Sequence, residues 1–119
     1  MVEKRFTKIS QLRAPRRGIN IRALVLEKGK TREGISRKTG MPYRLAEIVL
    51  GDESGTIRAT LWGDAIDRVH EGGTYEFYNV STSMFRNTLR VNIGARTRIV
   101  ESETPISPES IKRRSRGRA

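Results

Sequence analysis

Flat aromatic rings and a large excess of arginine are the residues here with the most chemistry to offer. Trp62 is the only tryptophan among 119 residues, and it closes the run T-I-R-A-T-L-W that follows a tight acidic-glycine turn, Asp52-Glu53-Ser54-Gly55. Phe85 stands between Met84 and Arg86 in a polar stretch, and Tyr43 and Tyr78 supply two further rings on apparent strands. Large rings at strand ends suit stacking on nucleobases, whatever the base, because every base has a face. Arginine adds planar forks that match phosphate and also stack.

The distribution of charge says where a polyanion would be met. The chain carries 24 Lys and Arg against 13 Asp and Glu, a net charge of +11. Residues 45–100 carry six basic and seven acidic side chains, so the excess lies outside them. It falls on the first 18 residues, on a glycine-bounded loop from Gly29 to Gly40, and on the terminal K-R-R-S-R-G-R-A. Neutralising phosphates with such cations releases counterions and drives association. The phosphate candidates are Lys30, Arg32, Arg37 and Lys38 in the loop, Arg44, Arg58 and Arg90 on strands, and Arg113, Arg114 and Arg116 in the tail. Carboxylates such as Glu47 stand where they can neutralise the strand arginines.

Other classes find little support. No nucleophile motif, P-loop or metal-ligand spacing is present, so neither catalysis nor a cofactor is expected. Asp64, Asp67 and Glu71 read as helix capping rather than as a metal site. Zero cysteines fit a reducing interior. The absence of a long apolar run or a secretory leader sets the expectation of a cytoplasmic protein, associated with nucleoid or ribosome, without membrane partners.

Period-two alternation sets out the elements that must position these residues. Strands are expected at Ile19 to Lys28, Tyr43 to Leu50, Thr56 to Trp62, Thr74 to Ser83 and Leu89 to Ile93, with Thr97 to Val100 extending the sheet. Asp64 caps a short helix between the third and fourth strands, with Asp67 in capping-box position and Gly72-Gly73 at its end. A loop spans Met84 to Thr88. Five strands with a helix in that slot and a long loop after the first describe an all-β, five-stranded Greek-key barrel, the OB-fold. The domain plan is a basic N-terminal arm (1–18) packing on the barrel, the barrel itself (19–100) and a flexible basic tail (101–119).

The stretch Leu45 to Glu103, with its G-D-E-S-G and T-L-W-G elements, resembles the single-OB-fold single-stranded DNA-binding proteins of archaea, related to the human single-OB proteins and to the OB domains of replication protein A. With K-I-S-Q-L-R at Lys8 to Arg13, the likeness covers roughly residues 8–103. It implies base stacking by Trp62 and by Phe85, and it places Ser81 where those relatives carry a third aromatic. It leaves two partner classes open: single-stranded DNA, together with replication or repair proteins, or ribosomal RNA within a ribosomal subunit. The serine, the basic tail and the arginine content favour the second, and the barrel motifs favour the first.

Overall fold

The computed structural model describes residues 6–111. The elements in chain order are β1 (Arg16–Lys28), β2 (Arg32–Ile35), β3 (Pro42–Asp52), β4 (Gly55–Trp62), α1 (Ala65–Arg68), β5 (Thr74–Phe85), β6 (Thr88–Ile93) and β7 (Arg98–Glu101). Neighbours run β1-β3-β4-β6-β5, and β1 pairs again with β5, so five strands close on themselves. β4 and β6 run parallel, Arg58–Leu61 against Arg90–Ile93. The expected OB barrel is therefore present, with β2 added to β3 and β7 added to β5. Among the described residues no helix is long and apolar enough to cross a membrane.

Alternation fixes which residues fill the barrel. Ile57, Ala59 and Leu61 of β4 are buried while Arg58 and Trp62 face outward. Ala46, Ile48 and Leu50 of β3 and Val91 and Ile93 of β6 complete the same core. Burying each large side chain contributes about 1.5 to 3 kcal/mol. In β5 the inward series Tyr75, Phe77 resumes as Val80, Thr82 because Asn79 takes a positive φ of 70° beside a register irregularity with β1. That bulge turns Ser81, Ser83 and Phe85 together onto the outer face.

The acidic-glycine turn is a structural node. Asp52 is buried; its Oδ1 accepts from the Ser54 N–H at 2.7 Å and its Oδ2 from the Ile9 N–H at 3.0 Å. It thereby ties the β3–β4 hairpin to the segment in which Ile9 and Leu12 enter the core.

Four local expectations are corrected. The loop Gly29 to Gly40 contains a strand, β2, whose Arg32–Ile35 pair with Leu45–Pro42. Met84 to Thr88 is no open loop: β5 runs to Phe85, which pairs with Thr88 across a two-residue turn with positive φ at Arg86 (53°) and Asn87 (63°). The helix is one turn; the Asp64 side chain makes no cap hydrogen bond, because Asp64 itself takes a helical backbone (φ −64°, ψ −19°) instead of the extended one of a cap, and the Asp67 carboxylate faces Arg44 at 3.2 Å. The segment from Glu101 onward packs as far as Ile111, because Ile106 and Ile111 bury themselves with Leu24 in a second small cluster. Arg113, Arg114 and Arg116 lie outside the described residues.

Candidate nucleic-acid interface

Strand register assembles the outer face row by row. Glu47 of β3, Thr60 of β4, Asn92 of β6 and Ser81 of β5 lie side by side, and Val49, Arg58, Arg90 and Ser83 form the next row. Trp62, opposite Leu45, bounds the first row at one end. Phe85, opposite Thr88, stands beyond the second row at the other. Six residues of strand separate those levels, roughly 20 Å along the sheet.

At the first end, Trp62 is 38% and Tyr43 39% exposed, with ring centroids 6.0 Å apart and planes tilted by 60°. The two rings line a cleft with Gly34, Ile35, Pro42 and Gly63. Gly34 makes room for that ring: a Cβ on it would lie 2.5 Å from the Tyr43 hydroxyl oxygen and 2.7 Å from the ring carbon bearing it, so the ring would have to shift. The glycine is thus the seat on which the tyrosine ring rests. Two large apolar side chains of the hairpin, Ile35 (68%) and Met41 (63%), are left in solvent beside it. Arg44 lies on the same hairpin, donating to the Gly63 carbonyl and to Asp67.

The other end is ionic. Phe85 is 52% exposed, and the guanidinium carbons of Arg86 and Arg90 each lie 5.3 Å from its ring centroid, a cation–π arrangement. Between this ring and the first end, the Glu47 carboxylate gathers three arginines: Arg90 at 3.3 Å, Arg32 at 3.4 Å and Arg58 at 3.9 Å. Arg90 is the least accessible of the three, and its Nε is buried without a partner among the described residues. Three guanidinium groups against one carboxylate leave this patch attractive to phosphate.

The structure therefore brings Trp62, Tyr43, Phe85, Arg32, Arg58 and Arg90 to one face, whereas Arg44 falls in the series of Ala46, Ile48 and Leu50 on the other side of β3 and pairs with Asp67 of α1. Lys30, Arg37 and Lys38 are exposed on the segments flanking β2. Tyr78 sits apart, tilted against Phe6 at 5.8 Å, under Arg98 at 5.8 Å, with its hydroxyl on Glu76. Arg17 and Asn92, which with Arg96 surround a recess at Trp62, were not legible in the sequence because their proximity arises only from strand pairing and from the bulge at Asn79.

This architecture has known counterparts. Residues 15–101 match the family described as single-stranded DNA binding protein Ssb-like, OB fold. The single-stranded DNA binding protein Ssb of Saccharolobus solfataricus is 31% identical over 103 residues, covering 87% of this chain and 68% of that protein. Among solved structures, the second OB-fold domain of replication protein A from Methanococcus maripaludis superposes with a TM-score of 0.70 at 24% identity, over 87% of this chain and 100% of that one. A replication protein A heterotrimer bound to single-stranded DNA gives 0.67 at 22% identity, over 90% of this chain and 26% of that one. The chain belongs to the Ssb-like OB-fold family of single-stranded DNA-binding proteins.

Proposed function

We propose that this chain binds single-stranded DNA across the outer face of β3, β4, β6 and β5, without catalysis. Trp62 and Tyr43 stack on bases at one end, Phe85 stacks at the other, and Arg32, Arg58 and Arg90 meet the phosphates between them. Lys30, Arg37 and Lys38 extend the cationic track along the β2–β3 hairpin, and the basic residues after Ile111 add to it. The observation that carries this reading is the exposure of three rings on one face of a barrel whose family binds such strands. Each stacked ring contributes roughly 1 to 3 kcal/mol per base.

Titration with oligo-dT is the direct test. Binding is expected to quench Trp62 fluorescence, with log affinity falling linearly in log salt. An unquenched signal at low salt overturns the proposal. A parallel titration with oligo-rU of equal length reads the competing RNA assignment, which tighter rU binding and co-sedimentation with ribosomal subunits would establish in its place.

A further inference from the structure

On the side of Trp62 away from Tyr43, where β4 meets β6, lies a recess of about 440 Å³ bounded by Arg17, Trp62, Asn79, Ser81, Asn92 and Arg96. Its frame is rigid. The Thr97 hydroxyl donates to the Asn79 carbonyl at 3.1 Å and accepts from the Gly94 N–H at 3.2 Å. The Asn79 side-chain amide donates to the Arg96 carbonyl at 3.2 Å, and the Asn79 backbone N–H donates to Asn20 Oδ1 at 3.0 Å.

The floor offers hydrogen bonds that the fold does not use. Ser81 and Asn92 are register partners on β5 and β6, and both are half-buried. Asn92 Nδ2 donates to Ser83 Oγ at 3.1 Å, which leaves its Oδ1 directed elsewhere. Among the described residues, neither Asn92 Oδ1 nor the Ser81 hydroxyl has a partner. Half-buried polar groups with spare capacity in a rigid frame beside an exposed ring are groups waiting for a ligand.

The geometry points to a nucleobase pocket that takes a keto pyrimidine, thymine in DNA, with its Watson–Crick edge on Asn92 and Ser81 and its ring against Trp62. The carbonyl of Asn92 is an acceptor, the Ser81 hydroxyl is a donor on one side of it, and the guanidinium groups of Arg17 and Arg96 are donors on the rim. Thymine presents the complementary order: a carbonyl, then the N3–H, then a second carbonyl. Cytosine presents a bare ring nitrogen at the central place, which sets acceptor against acceptor. The pocket gives the face a base preference that stacking and phosphate contacts lack.

This inference rests on the reading as a single-strand binder, and the experiment separates the two. Oligo-dT and oligo-dC of equal length are titrated at one salt concentration, with Trp62 fluorescence as the readout. A dT preference can also come from the weaker self-stacking of that strand, so the assignment to hydrogen bonding is carried by two substitutions. The expected result is about tenfold tighter binding of dT, within the range of one good base-edge contact. Asn92→Ala and Ser81→Ala should each shrink the ratio of dT to dC affinity toward one and leave the melting temperature within a few degrees of the parent. Equal affinities in the parent protein overturn the pocket, as does a dT preference that survives both substitutions. Failure of both oligonucleotides to bind overturns the proposed function and the pocket with it.

Discussion

At the Trp62 end of the outer face a strand would meet rings, aliphatic side chains and glycine; at the Phe85 end it would meet a ring already covered by Arg86 and Arg90, next to a carboxylate holding three arginines. Both ends belong to one continuous sheet, yet they respond to different variables. Stacking on Trp62 and Tyr43 is insensitive to salt, whereas every phosphate taken by Arg32, Arg58 or Arg90 releases counterions. Contact area dominates at Trp62 and ionic attraction from Glu47 to Phe85, with Arg32 reaching Glu47 from the Trp62 level, and substitutions can address the two one at a time.

The sharpest division comes from Trp62→Ala. Losing the ring should weaken oligo-dT binding by roughly ten- to a hundredfold. The slope of log affinity against log salt should stay put, as should the melting temperature, because the side chain lies outside the core; a slope that flattened would erase the distinction between the ends. Phe85→Ala should cost less, about tenfold or below. It should also alter the slope, because Arg86 and Arg90 lose the surface that orients them, and an unchanged slope would separate those arginines from the ring. Glu47→Gln acts in the opposite direction: freeing three arginines should tighten binding by up to about fivefold at low salt and steepen the slope. Weaker binding in this variant would show that the carboxylate organises the arginines more than it competes for them.

Two smaller effects test the supports. Gly34→Ala forces the Tyr43 ring off its seat and should weaken binding about threefold, a fraction of one stacking contribution, with the salt slope again unchanged. Away from the face, the ammonium of Lys8, 3.0 Å from Glu53, holds that carboxyl below its ordinary value of 4.5. A carboxyl depressed by folding stabilises the protein above its unfolded value, and the contribution disappears as pH falls through the folded one. Both side chains are more than half exposed, so the contribution is within about 1 kcal/mol. Melting curves from neutral pH down to below 4 should show Glu53→Gln losing slightly less stability in acid than the parent, with dT affinity equal at neutral pH.

The barrel was legible in the sequence because its strands have one buried face. Thr56 to Trp62 alternates as a half-buried strand must, and the acidic-glycine turn before it marks the hairpin. β2 was not legible: R-E-G-I has no residue in the core, so no alternation betrays it, and only pairing with Pro42–Leu45 makes it a strand. The same cause hid Gly34 and the apolar cleft. The Arg86-Asn87 turn lacks the Asn-Gly signature of its type, and Asn87 alone hints at positive φ. Ile106 and Ile111 sit in a segment whose prolines and serines resemble a tail, although two spaced isoleucines are enough to anchor it. Of the candidate rings, Trp62 and Tyr43 lie at one end of the outer face and Phe85 at the other, while Tyr78 alternates onto the outer side of β5 but at the end flanked by β7.

The Glu47 carboxylate also bears on how long a strand would stay. A phosphate that leaves Arg90, Arg32 or Arg58 uncovers a guanidinium that an anion within 4 Å can recapture before the same phosphate returns. Release then proceeds by successive small exchanges, each replacing one ion pair by another, and no step strands a bare charge in the half-buried site. Such substitution raises the dissociation rate while barely touching encounter, which the distant basic segments govern. For a strand bound as proposed, residence time, rather than affinity alone, is the quantity this residue would set.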